Sequence, residues 1–575
     1  MKSKLKVTFI MLTLLSAQLI FAQSKNINGR VLDEKKEPVV GATVVVKGTN
    51  NGVITDFDGN FKISALPDNQ IEVSYIGYAT HTIKVGAQTF LQIQLEPNVT
   101  ALEDVVVIGY GTQKKVNLTG SVSTVDYSKQ AMSRPITSTA TALSGLSPGV
   151  QVMQGSGNPG SESVTINIRG VGTLNTSSPL VIVDGFESSM SAVSPDDIET
   201  ISVLKDAASC AIYGNRGANG VILITTKTGK GDKVTVSYNG LFSYNQPSNL
   251  YKEVSNYADY MEFMNESATN VNSSPTFSQA TIDLWKEKQA DPNGLSESGY
   301  PNYVAYPNVD WMEALFTETW YKKHTLTVSE SSKKSNNLFS ATYMDNPGII
   351  QGTSSKKYQL RANITNNVTD WLQIGTKLWG YENDIDRNQL SNVFSYISRS
   401  SPGIYPYYDG KYGYLENSEE STTARNNLFF LNRTGGYYKN TYINASLFST
   451  ISFPQNIKYN VSFNYNRYWS KQKYYVNTLS AYSFRRDEVA YSGYALENLN
   501  LQMYYEGNNR WVFQNNLSWN KKIANMHEIS AMVGYESTYY NSDWTNASKT
   551  GLIDDAITEL STATEMTDIT GTQQD

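Results

Sequence analysis

The residues able to do chemistry are few and poorly grouped. The three histidines, His81, His324 and His527, stand far apart, with no HExxH pattern and no paired His or Cys spacing of the kind a zinc site needs. Cys210 is the single cysteine, so it can form no internal disulfide even in an oxidising compartment. Gly155-Ser156-Gly157-Asn158-Pro159-Gly160 matches GxGxxG. A dinucleotide fingerprint needs a helix starting in that loop, whereas Pro159 and the alternating SVTINI that follows point to a strand. Asp56 and Asp58 with Gly59 resemble the start of a calcium loop. The third aspartate and the acidic residue twelve positions on are missing, which leaves a turn. VIGYG, Val107 to Gly111, has the wording of a carbonyl-lined cation filter. Such a filter sits between membrane helices of about 20 apolar residues, and none flank it. No nucleophile, base and orienting group can be assembled from any local motif. The chain therefore offers no enzyme, no metal site and no cofactor site, and its function must be sought in its architecture.

Residues 1–22 are the strongly apolar run: Lys2, Lys4 and Lys6, then Val7 to Phe21, then Ala22 before Gln23. That layout is an export signal, too short for a span. Removing it takes the net charge from −6, less three lysines, to −9, which argues against a nucleic-acid partner. Aromatic residues make up 12% of the chain, Tyr alone 39 residues, and the mean hydropathy is still −0.39. Tyr-rich sequence without long apolar runs suits a secreted all-β protein or an outer-membrane β-barrel.

Three regions follow the signal. From Ile27 to Leu95 short segments (INGRVLD, GATVVVKG, GVITDFDGNFKIS, IEVSYIGYAT, HTIKV, FLQIQLE) predict a small β-sandwich, with Asp58-Gly59 as a tight hairpin turn. From Asn117 to Lys227 the strands GVQVMQ, SVTINIRG, LVIVDGF and GVILITTK, with one helix through DAASCAIYG, predict a compact α+β unit. Asp206 is placed to cap that helix and Gly214 to end it.

From Lys233 the period changes to sustained two-residue alternation. Ile443, Ala445 and Leu447 share a face opposite Asn444 and Ser446; Tyr459, Val461, Phe463 and Tyr465 alternate with Asn460, Ser462, Asn464 and Asn466. Further strands are expected near 233–243, 320–330, 337–345, 357–366, 371–383, 509–521 and 527–540, about nine in all. Their connections alternate long and short, as in outer-membrane barrels with short periplasmic turns and long external loops. Trp320, Tyr321, Trp371, Trp379, Tyr468, Trp469, Trp511 and Trp519 lie near strand ends and suit interfacial girdles. An odd count and an end at TGTQQD, in what reads as an external loop, imply a barrel continued by further chain.

VVGATVVVKGT, TDFDGNF, DVVVIGYGTQKK, NLTGSVSTV, NIRG, SPLVIVDGF, DIETISVLKDAASCAIYGNRGANGVILITTKTGK and TDWLQIG resemble, in wording and order, the SusC-like branch of TonB-dependent outer-membrane transporters. The resemblance spans nearly the whole mature chain; Cys210 and Gly217 stand where the family usually has alanine. It implies a mainly β fold: signal peptide 1–22, a carboxypeptidase-regulatory-like β-sandwich over 23–98 in the periplasm, and a linker with the TonB box over 99–115. A plug domain over 116–230 and the N-terminal portion of a transmembrane β-barrel over 231–575 complete it, about nine of about 22 strands.

The implied activity is TonB-dependent import of oligosaccharides or peptides across the outer membrane, with TonB and a SusD-like surface lipoprotein as protein partners and outer-membrane lipid around the barrel. A siderophore or cobalamin receptor shares the architecture, and a secreted β-sandwich adhesin would share the aromatic content. Asp104, Val105, Val106, Val107 and Ile108 are expected to form the TonB box, since a β-branched extended peptide can add as a strand to a partner's sheet. Gly109 to Lys115 are expected to be a flexible lead into the plug. Tyr405, Tyr407, Tyr408, Tyr412 and Tyr414 are the candidate substrate-binding residues, either stacking on sugars or packing the loop that carries them.

Overall fold

The computed structural model describes residues 25–574 apart from 35, 50, 76–77, 87, 97–104, 109–110, 115–121, 127–137, 232, 387–396, 398, 422, 494, 524–526 and 555. The signal segment lies outside the described residues. Two compact units emerge, one carrying the N-terminal domain and the other everything from the α+β unit onward.

The first unit is a two-sheet sandwich. One sheet orders Asn60–Ala65, Lys25–Leu32 and Phe90–Gln94; the other orders Gly52–Ile54, Thr43–Val46, Gln70–Ser74 and His81–Lys84. Alternate residues point inward, so Ile27, Val31, Val44, Ile63, Ile71, Val73, Leu91 and Ile93 are buried together. The Asp58-Gly59 turn forms, but it is not a hairpin: Gly52–Ile54 and Asn60–Ala65 belong to different sheets, and the turn carries the chain across the sandwich. Asp56 Oδ1 accepts from the amides of Asp58 (3.0 Å) and Asn60 (2.8 Å), an Asx turn that leaves this carboxylate engaged by backbone. Gly59, at φ 74°, is required there because a Cβ would lie 2.6 Å from the Val31 carbonyl.

In the second unit a five-stranded sheet orders Val122–Asp126, Ile198–Leu204, Val221–Thr226, Leu180–Val183 and Phe186–Glu187. Asp206 caps the helix Ala207–Cys210, accepting from the Ser209 amide at 2.8 Å, and Gly214 kinks the following turn at φ 58°. The GxGxxG loop joins two antiparallel strands, Val150–Gln154 and Val164–Ile168, and no helix starts in it.

The alternating region forms one ten-stranded antiparallel sheet in sequence order. Its strands are β1 (Thr235–Asn245), β2 (Thr319–Ser331), β3 (Ser335–Pro347), β4 (Ser354–Asn367), β5 (Leu372–Asp386), β6 (Thr434–Phe453), β7 (Ile457–Val476), β8 (Asn500–Ile523), β9 (His527–Thr550) and β10 (Glu565–Gln574). The tenth strand corrects the expected nine: its DITGTQQ is too polar to show an apolar face, yet it pairs with β9 from Ser542 to Thr550. Short turns at 332–334, 368–371 and 454–456 alternate with the long connections 246–318, 387–433 and 477–499.

One face of this sheet is apolar and open, displaying Leu326, Phe339, Leu360, Leu378, Ile443, Leu447 and Leu517; the other packs on the α+β unit. Three of the expected girdle residues lie on the wrong face for that role. Tyr321 is buried, and Trp379 and Tyr468 pack against the α+β core. Successive residues of a strand alternate faces, so of the neighbours Trp320 and Tyr321 only Trp320 can point outward.

Candidate functional site

Buried charge gathers where the α+β unit meets β2 to β5. Leu180–Val183 ends at Asp184, whose φ of 49° turns its carboxylate back toward the wall. Oδ1 of Asp184 lies 3.3 Å from Lys377 Nζ and Oδ2 lies 3.8 Å from Arg361, while the Thr226 amide donates at 3.1 Å and the Thr226 hydroxyl donates as well. Burial pushes the Asp184 carboxyl up, but Lys377, Arg361 and Thr226 together outweigh it and hold it below the ordinary range.

The turn Pro195–Asp197 supplies two more carboxylates. Asp196 pairs with Lys323 at 2.8 Å and accepts from the Thr325 hydroxyl at 3.0 Å; Asp197 accepts from Ser340 at 2.6 Å. Arg361 also donates to the Asp197 carbonyl at 2.9 Å, and Asn363 to the Lys227 carbonyl at 2.8 Å. Burial leaves Asp197 with a raised pKa, despite Arg361 and Ser340 pulling the other way. A second, smaller contact lies on β8 and β9, where Glu187 meets Arg510 (2.7 Å) and Arg216 (3.3 Å), and Arg216 meets Glu536 at 3.0 Å. These anchors were not legible in the sequence. The available signal was a lone Lys or Arg in the polar-face register of a strand, as at Lys323, Arg361 and Lys377.

The long connections build a folded cap. Helices Tyr257–Asn270 and Gln279–Ala290 bury Tyr257, Met261, Ile282 and Trp285 together, and Asn256 and Ser278 cap them with bonds to the Asp259 and Thr281 amides. Short strands Tyr407–Tyr408 and Lys411–Gly413 join Ala481–Ser483 and Glu488–Tyr491 in a four-stranded sheet, uniting two connections. Glu416 fastens the same pair: it accepts from Ser483 Oγ (2.6 Å) and from the amides of Phe484 (2.7 Å) and Arg485 (3.0 Å). Burial pushes its carboxyl up to about 7, against the pull of those donors and of Arg486. Glu420 joins the third connection, accepting from Tyr257 at 2.7 Å and Ser401 at 2.8 Å.

The five candidate tyrosines all lie in this cap, in three groups. Tyr405 and Tyr408 pack with Tyr303 and Phe484, their centroids 5.8–6.5 Å apart; Tyr407 pairs with Tyr412 at 4.9 Å; Tyr414 stacks on Tyr491 at 6.1 Å. Tyr407 is the exposed one of the five, at 48%.

Of the expected TonB box, Asp104 lies outside the described residues. Val105–Ile108 is a strand, paired in a two-stranded sheet with Gly111–Lys114. The second strand replaces the flexible lead expected there over Gly111–Lys114, while Gly109, Tyr110 and Lys115 lie outside the described residues.

A CarboxypepD_reg-like domain model matches residues 27–107, and the TonB-dependent Receptor Plug Domain matches residues 114–221. TonB-dependent receptor SusC of Bacteroides thetaiotaomicron is 36% identical over 357 residues, 60% of this chain and 32% of that protein. The chain belongs to the SusC-like TonB-dependent receptors. TonB-dependent receptor P3 of Formosa agariphila is 34% identical over 382 residues, 66% of this chain and 35% of the relative; receptor P26 of the same organism is 30% identical over 524 residues, 90% and 49%. The chain thus spans between about a third and a half of the curated relatives it matches. The RagAB peptide importer in its open-open state shares the fold, with a TM-score of 0.65 at 22% identity, over 82% of this chain and 53% of that one. Receptors of this family are outer-membrane β-barrels, so β1 to β10 cross that membrane as barrel wall, the α+β unit is the plug, and the N-terminal sandwich is periplasmic.

Proposed function

We propose that the full-length receptor imports oligosaccharides or peptides across the outer membrane, drawing work from TonB and operating with a SusD-like surface lipoprotein. The observation that carries this reading is the seating of the plug: three carboxylates of the plug, Asp184, Asp196 and Asp197, are held by Lys323, Arg361, Lys377 and Ser340 of the wall. A plug held to the wall by ion pairs and hydrogen bonds, beside an apolar contact at Trp379 and Tyr442, can be shifted by a pull from below and reseated afterwards. The outer membrane has no ATP, so that pull must come from the inner membrane.

Asp104 to Ile108 form the handle in this reading. Val105–Ile108 is already extended, and TonB would replace its pairing with Gly111–Lys114 by strand addition. The cap gathers substrate, with Tyr407 open for stacking on a sugar ring, while Tyr405, Tyr408, Tyr412 and Tyr414 shape the surface around it. Deleting residues 104–108 in the full-length receptor is expected to abolish uptake of a labelled oligosaccharide or peptide mixture while surface binding persists. Uptake at the wild-type rate would overturn the assignment.

A further inference from the structure

The plug-facing wall is divided by chemistry. Among the described residues, the ion pairs between plug and wall lie in two sectors: Lys323, Arg361 and Lys377 on β2, β4 and β5, and Arg510 with Glu536 on β8 and β9. Between them lies a patch of amides and hydroxyls, bordered by the inward-facing Tyr442, Phe448 and Val512. The patch is Asn444 and Ser446 on β6, Asn460 and Asn464 on β7, and Asn516 on β8, and Asn444, Ser446 and Asn464 are each at most 2% exposed.

Their hydrogen bonds close within the wall. Asn464 donates to Asn444 (3.0 Å) and Ser446 (2.6 Å), Asn460 donates to Asn516 (2.9 Å), and Thr450 donates to Asn460 (2.8 Å). The plug meets these strands at the rim of the patch, Ser188 to Tyr442 at 3.2 Å and Glu187 to Arg510 at 2.7 Å. Asn444 and Thr450 are six residues apart on β6, so the amide face runs about 20 Å along the strand, down toward the short turn at Pro454–Asn456.

We propose that this amide face of β6, β7 and β8 is the wall the plug uncovers when pulled, and so the surface along which an uncharged, hydrogen-bonding solute passes. The inference rests on the proposed TonB-driven import. Separation starts where the fewest plug–wall bonds must break. Along β2 to β5 it would leave buried Arg361 and Lys323 without their counter-ions, which is costly. Along β6 and β7 the amides keep one another satisfied when the plug leaves. Carboxamides offer both donors and acceptors to a solute and hold no fixed charge on which it would stall.

The test uses the full-length receptor in cells, in a Cys210→Ala background, with single substitutions Asn464→Cys or Asn516→Cys in the amide face and Ser340→Cys or Asn363→Cys in the ionic sector. Heat-modifiable migration confirms assembly of each, and the second position in each sector keeps the comparison alive if one variant fails to assemble. The probe is a charged fluorescent maleimide, applied with and without a proton-motive-force uncoupler to cells growing on a glycan and peptide mixture. The amide-face cysteines are expected to label at least tenfold faster in energised cells, with the ionic-sector cysteines unchanged. Faster labelling of Ser340→Cys or Asn363→Cys instead would overturn this proposal alone. No response at any position would overturn the energy-driven reading beneath it as well.

Discussion

Leu360 and Arg361 are adjacent on β4 and face opposite worlds: Leu360 is 67% exposed on the outer face, and Arg361 is 4% exposed against Asp184 and the Asp197 carbonyl. The two-residue period of a strand makes that possible, and it makes the pair a sharp test of orientation. Leu360→Arg in the full-length receptor puts a charge on the lipid side near the middle of its strand and is expected to cost about 2–4 kcal/mol of barrel stability. Urea-titrated refolding into lipid vesicles checks it. A Leu360→Arg barrel as stable as wild type would mean that this face does not meet lipid.

Asp184 is the counter-ion of both Arg361 and Lys377. Asp184→Asn keeps the shape and an acceptor for the Thr226 amide but leaves two cations facing a neutral amide. The expected loss is about 3–5 kcal/mol of plug stability, read as an earlier plug transition on denaturing the full-length receptor in detergent while the barrel transition stays in place. Asp184→Asn without a shift would show that the β2 to β5 contact does not hold the plug.

Glu416 makes the cap respond to pH. Its folded pKa, about 7, lies above the ordinary carboxylate value because burial disfavours the charge. The stabilising effect of this raised value is therefore complete below about 4.5 and is lost as pH rises through about 7, a span of about 3 kcal/mol. Fluorescence of the cap tryptophan Trp285 during urea titration is expected to report a firmer cap at pH 5 than at pH 8. In Glu416→Gln, which cannot ionise, that difference should vanish; its persistence would place the titrating group elsewhere.

Much of this architecture was legible in the chain because it is periodic. Alternation at Ile443 to Leu447 and Tyr459 to Asn466 gave each residue its face, and Asp206 and Gly214 marked a helix by local backbone chemistry alone. Pattern failed where a residue's surroundings come from distant chain. The polar DITGTQQ becomes a strand because β9 offers it an edge, and Trp379 and Tyr468 leave the girdle because their register turns them toward the plug.

The sequence by itself determined the order of the parts and the strand faces, since these depend on neighbours a few residues away. Tertiary structure alone decided which polar groups meet. Asp184 and Arg361, or Glu416 and Ser483, stand far apart in the chain, and a carboxylate's partner is set by packing between elements whose separation along the chain carries no information about it. For the same reason the five tyrosines could be named from the sequence, while only the packing showed that Tyr407 is the open one of the group.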